Sequence, residues 1–151
     1  MRLWRVSTYP RIDGYGGLVS SGRWHTVGHP VTYATLAPAT ALLEWAVHFE
    51  AAIDDVPRKV PYVFFETPDD VVFRRVRDLP PNWKGNLEVT QAIGNQWLEG
   101  QQSAFLWVPC ALVPETENVI INPLHSDARN LSPTVLLDDF DARLPWRRYV
   151  G

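Results

Sequence analysis

The stretch "APATALLEWAVHFEAAI", Ala37 to Ile53, constrains this chain more than any other. Leu42, Trp45, Ala46 and Phe49 recur at helical spacing, and Pro38 stands where a helix start tolerates a residue with no amide hydrogen. Most of the remaining positions are apolar too. A helix apolar on all sides is expected to be buried over most of its surface. Glu44 interrupts the run, with Ala41 and Val47 on its own face. A carboxylate in such surroundings must find a partner or take up a proton. Two readings follow: the helix edge reaches solvent at Glu44, or Glu44 forms the wall of a cleft where its charge is used.

Strand patterns flank this helix. "RLWRVS" reads as a first strand followed by a Gly- and Tyr-rich loop, "YPRIDGYGG", and "PVTYAT" alternates Val31, Tyr33 and Thr35 against Thr32 and Ala34. "VPYVFFETP" and "DVVFRRVRDLP" are rich in Val and Phe and bounded by Pro and Asp, while "SAFLWVPCALVP" and "ENVIINP" read as buried strands. "EVTQAIGNQWLEGQ" predicts a second helix ending near Gly100. From Leu124 onward one more short strand or helix and a tail are expected. With no repeat, linker or low-complexity tract, the order of elements predicts an α+β fold in a single domain over residues 1–151.

Composition narrows the function classes. The 151 residues are 46% apolar and 21% charged, an ordinary balance for a chain that buries a core. Seven Trp and thirteen Pro point to rigid loops and aromatic surface lining a pocket or an interface. The net charge is −3 and no basic stripe appears; Arg147 and Arg148 in "WRRYV" are too few for a nucleic-acid footprint. Cys110, the single cysteine, permits no intramolecular disulfide and fits a reducing compartment. "MRLWRVSTYP" has no long apolar run of a signal peptide, and "AFLWVPCALVP" falls short of the ~20 residues that span a bilayer. A soluble, cytoplasmic protein without membrane contact is expected.

Single polar residues say less. Arg23, between Gly22 and Trp24, fits a surface ion pair; Tyr33 fits a core position; Ser103 fits the start of a strand. His25, His29, His48 and His125 lack an HExxH arrangement and no second Cys exists, so no metal is expected. "GYGG" lacks dinucleotide or P-loop spacing, "LLDDFDAR" is no EF-hand, and no GxSxG surrounds Ser103.

As a set, "LWRVS", "SGRWHTVGHPVTYAT", "ALLEWAVHFE" and "GNQWLEGQQSAFLWVPCALVPETENVIINPLH" resemble the RES domain family, named for its Arg, Glu and Ser, in the family's order and over most of the chain. Carried over residue by residue, the arginine falls on Arg23, the glutamate on Glu44, the serine on Ser103 and the strand tyrosine on Tyr33. Where the family often has Asn after the Arg–aromatic pair, this chain has His25.

The resemblance implies an ADP-ribosyltransferase-like fold around a cleft that takes NAD+ as substrate, with no other cofactor. It also implies the toxin of a type II toxin–antitoxin pair. The partner would be an Xre-type antitoxin with a DNA-binding domain, held in a hetero-oligomer and blocking the active site. Some members degrade NAD+ by hydrolysis or phosphorolysis at the nicotinamide–ribose bond, and others transfer ADP-ribose to a protein. A binding module with an incapacitated site is the third alternative. On the first two readings Glu44 acts at the ribose, Arg23 grips the pyrophosphate and Tyr33 stacks on nicotinamide. Ser103 would hydrogen-bond the ribose or the amide, and Arg5 and Trp24 would line the site. A buried Glu44 facing a buried Arg23 is expected in the resting protein.

Overall fold

The computed structural model describes residues 1–48 and 57–141, together with Leu144. In chain order the elements are β1 (Arg2–Val6), α1 (Tyr15–Val19), β2 (Thr32–Thr35), α2 (Pro38–His48), β3 (Lys59–Glu66) and β4 (Phe73–Arg75). A 3-10 turn (Trp83–Gly85) leads into α3 (Leu87–Gly100), followed by β5 (Phe105–Pro109), β6 (Glu117–Ile121), α4 (Ser126–Arg129) and β7 (Pro133–Asp139). The strands form one sheet in the order β4-β5-β6-β2-β1-β3-β7. Every pairing is antiparallel except β4 with β5, which gives the α+β architecture the sequence predicts.

The sheet carries apolar side chains on both faces at its centre. Val119, Ile120 and Ile121 of β6 are consecutive and fully buried, although successive strand residues point to opposite sides. Leu3, Phe65, Phe105, Trp107, Val119 and Ile121 make the core of one face, closed by Ala128 and Leu131. Trp24, Val31, Leu106, Val108 and Ile120 make the other, against Trp97 and Leu98 of α3. Each such side chain contributes about 1.5–3 kcal/mol relative to exposure. On this second face the register sets Tyr33 opposite Ile120, and Asn118 opposite both Thr35 and Val108. That row of side chains floors the cleft described below.

Three expectations need correction. The helix of Ala37–Ile53 is not buried over most of its surface. Only Thr40 and Ala41 are buried in α2, and Leu43 and Val47 are 49% and 56% exposed. The reason is positional: α2 lies against the central strands β1 and β2 with one face down, and its other side has no element packed over it among the described residues. Its expected continuation beyond His48, like the "WRRYV" tail, falls outside the described residues. Second, "YGGLV" forms α1, although its glycines argue for a loop; Gly14 opens it in the left-handed region at φ 72°. Third, the C-terminal part supplies both a helix and a strand, and β7 runs the length of β3 as an edge strand exposed at every residue.

No helix among the described residues is long and apolar enough to cross a membrane.

Candidate active site

One face of α3 holds the segment that carries Arg23. Thr90, Gln91, Gly94 and Asn95 share that face, at the spacing of successive helical turns. Thr90 Oγ1 donates to the Arg23 carbonyl at 2.6 Å, and Gln91 Nε2 donates to the Gly22 carbonyl at 2.9 Å. Asn95 accepts from Thr26 N at 3.0 Å and donates to Thr26 Oγ1 at 2.9 Å. Gly94 permits the approach: a Cβ there would stand 1.7 Å from the Trp24 carbonyl oxygen. The helix is therefore a rack for residues Gly22–Thr26.

That segment is tied to β2 as well. Trp24 N donates to Tyr33 Oη at 3.1 Å, and His25 Nδ1 lies 2.8 Å from the same hydroxyl. His25 Nε2 lies 2.9 Å from the Ser20 carbonyl, which can only accept. Nε2 thus carries the hydrogen, and Nδ1 accepts from the tyrosine O–H. Burial lowers His25 below the usual imidazole range and pushes the Tyr33 phenol well above its own, so both stay neutral in this chain of bonds. His25, unplaced by sequence, is the buried link between the arginine segment and the tyrosine strand.

These elements surround a cleft of about 770 Å³, within the usual range of small-molecule sites. It is lined by Arg5 of β1, Arg23, Trp24 and His25, Tyr33 and Thr35 of β2, Glu44 and Trp45 of α2, and Asn118 of β6. Glu44 is half-buried there, which supports the cleft-wall reading over a helix edge in solvent. Its Oε1 accepts from Asn118 Nδ2 at 2.6 Å and from Cys110 Sγ at 3.3 Å. Both donors hold the same oxygen, and Oε2 has no hydrogen-bond partner among the described residues. The carbonyl oxygen of Asn118 is buried and has no hydrogen-bond partner among the described residues.

The expected buried Glu44–Arg23 pair does not form. Arg23 is half-buried, donates from Nη1 to the Lys84 carbonyl at 2.7 Å and lies 5.8 Å from the centre of the Trp83 ring. Its reach toward Trp83 and Lys84 puts it at the rim. Arg5 is the more enclosed cation: burial lowers its pKa, with Asp13 opposing, and its Nη2 donates to Ser7 Oγ at 3.1 Å. Asp13 is otherwise engaged, bonded by Tyr9 Oη at 2.7 Å and paired with Arg11 at 3.1 Å. The cleft thus presents the Glu44 carboxylate, the guanidinium groups of Arg5, Arg11 and Arg23, and the fixed ring of Tyr33.

Ser103 stands apart. It is 1% exposed, accepts from Trp97 Nε1 at 2.9 Å, donates to the Phe105 carbonyl at 3.0 Å and is not among the cleft-lining residues. Its hydroxyl is engaged inside the core under α3, and the structure does not bring it together with Glu44, Arg23 and Tyr33. Trp24 is 2% exposed and packs 6.0 Å from Trp83, contributing a wall rather than a free stacking face. Asn118 was missed because "ENVII" reads as a buried strand; only its register with β2 brings it beside Glu44. Among the described residues no three of His, Cys, Asp and Glu gather as a metal site; His29 pairs with Glu99 at 3.0 Å and His125 caps α4.

The family model described as the RES domain matches residues 2–147. A protein of Pseudomonas putida named "Toxin Res" is 40% identical over 146 residues, covering 95% of this chain and 99% of its own. One of a Sphingobium species, named "Prs ADP-ribosylating toxin", is 34% identical over 140 residues, covering 85% and 86%. A "Toxin Res" of Yersinia enterocolitica is 32% identical over 151 residues, covering 95% of each chain.

Proposed function

The chain belongs to the RES domain family, and on that premise we propose that it is a toxin that cleaves the nicotinamide–ribose bond of NAD+ in this cleft. The observation that carries the reading is Glu44, whose Oε1 is clamped by Asn118 and Cys110 while Oε2 is left for a ligand. Breaking an N-glycosidic bond builds positive charge on the ribose, in an oxocarbenium-like state. A carboxylate fixed beside the ribose stabilises that charge, and needs no reorientation to do so. Nicotinamide leaves as a neutral molecule, so no general acid is required. Arg5 and Arg23 supply cations for the pyrophosphate, and the Tyr33 ring, held by its hydroxyl, supplies a flat surface for nicotinamide.

The acceptor divides two readings. Water or phosphate as acceptor depletes NAD+. A protein acceptor makes the chain a mono-ADP-ribosyltransferase, the reading that the name of the Sphingobium relative favours. Purified protein given NAD+ labelled in the adenosine half separates them: free labelled ADP-ribose or its phosphate ester marks depletion, and label on a protein band marks transfer. On either reading nicotinamide is released, and Glu44→Gln lowers that release by roughly 10²–10⁴-fold. Full activity in Glu44→Gln would sink the assignment, and failure of the wild type to bind NAD+ would revive a non-catalytic module.

A cytoplasmic toxin of this kind needs restraint in its host. We assign that role to an Xre-type antitoxin with a DNA-binding domain, forming a hetero-oligomer in which a segment of the antitoxin occupies the cleft. A carboxylate on that segment would suit Arg5 or Arg23. A gene for a small helix-turn-helix protein beside this one is the expected observation. Inhibition that survives removal of the antitoxin's C-terminal residues would show that the block is made elsewhere.

A further inference from the structure

Asn118 is half-buried on β6, and its two polar atoms differ sharply in situation. Nδ2 donates to Glu44 Oε1 at 2.6 Å, whereas Oδ1 is buried with no partner among the described residues. The amide orientation is fixed by its neighbour, since a flipped amide would set two oxygens against each other at that distance. Buried acceptors are seldom left without a donor, and those that are call for a specific explanation. The residue that carries it lines the cleft beside Glu44, so the orphaned oxygen lies just beneath the cleft surface. Two hydrogen-bond acceptors, Glu44 Oε2 and Asn118 Oδ1, are thus offered by side chains locked to each other.

We propose that Asn118 is a substrate-binding residue whose carbonyl oxygen accepts from one hydroxyl of the vicinal diol on the ribose that bears the scissile bond, while Glu44 takes the other. The inference rests on the NAD+ reading above. A vicinal diol presents two donors side by side, the complement of two acceptors side by side. The clamp from Nδ2 and Cys110 Sγ to Oε1 then does a second job: it turns Oε2 toward the same diol. A carboxamide N–H of nicotinamide is the competing donor, but it lies across the scissile bond from the group that Glu44 serves.

The test pairs variants with substrate analogues. NAD+ and its 2′-deoxy and 3′-deoxy forms, altered on the nicotinamide ribose, are compared by kcat/KM for wild type and Asn118→Ala, with Asn118→Ser as a second variant and melting temperatures as a check on folding. Wild type is expected to disfavour each deoxy form by about tenfold or more. In Asn118→Ala the penalty for one of the two hydroxyls collapses toward unity while the other persists. A purely positioning role for Asn118 would lower kcat equally for all three substrates and leave both penalties intact, which overturns the proposal. A fourth substrate carries a carboxylate in place of the carboxamide, and collapse of discrimination against that analogue alone overturns the proposal as well. A wild type that neither binds nor cleaves NAD+ refutes the functional reading itself, a result distinct from unchanged penalties in an active enzyme.

Discussion

His25 Nδ1 lies 2.8 Å from the hydroxyl of Tyr33, and this contact joins the segment that carries Arg23 to the strand that floors the cleft. Because Nε2 is committed to the Ser20 carbonyl, the hydroxyl hydrogen has one direction to point. Tyr33→Phe removes it and strands both His25 Nδ1 and Trp24 N. We predict a loss of about 1–3 kcal/mol in stability by denaturant titration. Combining His25→Ala with Tyr33→Phe should cost little beyond the worse single variant. Fully additive losses would mean that the two residues act independently.

The same histidine sets a pH dependence. Burial depresses its pKa in the fold below the ordinary 6.5, so in acid the unfolded chain takes the proton more readily. The stability that neutral His25 contributes is whole above that ordinary value and is lost as pH falls through the lower, folded one. His29 acts in the opposite sense: its bond to Glu99 raises its pKa, so its contribution is present in acid and fades as pH rises through the folded value. His25→Asn removes only the first effect. The melting temperature of wild type should exceed that of His25→Asn most near neutrality, with the gap closing on acidification; a gap that widens in acid contradicts the neutral assignment.

Ser103→Ala is expected to be a stability variant. It leaves the Trp97 indole N–H without its acceptor in the core and should cost about 1–3 kcal/mol. KM for NAD+ should not change at a temperature where the variant is folded. A rise in KM with an unchanged melting temperature would restore Ser103 to the substrate.

Much of the fold was legible in the sequence because period-2 and period-3.6 patterns follow from burial on one face. The strands β1, β2, β5 and β6 and the helix α3, ending at Gly100, all stand where those patterns put them. The helix α2 was placed correctly and buried wrongly, since its apolar character says nothing about how many neighbours it has. Glu44, Tyr33, Arg5, Arg23 and Trp24 do meet around one cleft. What sequence concealed is what depends on pairing over long separations. Asn118 reaches Glu44 across 74 positions, and Thr90 reaches Arg23 across 67. Ser103 shows the converse: its hydroxyl bonds within the core, a placement that the start of a strand pattern does not reveal.

Gly94→Ala should disable the site from a distance. The added methyl would collide with the Trp24 backbone, which must move together with Arg23 and His25. Overpacking of this kind costs about 1–3 kcal/mol, more where backbone is the obstacle. We expect lower stability together with a higher KM, checked by melting and steady-state kinetics; a variant with wild-type KM would show that the loop adjusts freely.

Arg5 illustrates an opposite balance. A partly desolvated guanidinium burdens the empty protein, and on the proposed function it serves the ligand. Arg5→Met is expected to keep or raise the melting temperature while weakening NAD+ binding roughly tenfold or more, measured by calorimetry. Unchanged affinity would remove Arg5 from the pyrophosphate site.

The order in which the chain is made gives the clamp on Glu44 another consequence. Glu44, Arg23 and Tyr33 leave the ribosome early, but the rack on α3 comes later, and Cys110 and Asn118 later still. Strands β2 and β6 are adjacent in the sheet although most of the chain separates them, and such distant pairing is slow to form. A nascent chain therefore carries the Glu44 carboxylate long before anything aims it. Chains truncated ahead of β6 should release no nicotinamide, so that synthesis itself imposes a delay between making the toxin and arming it.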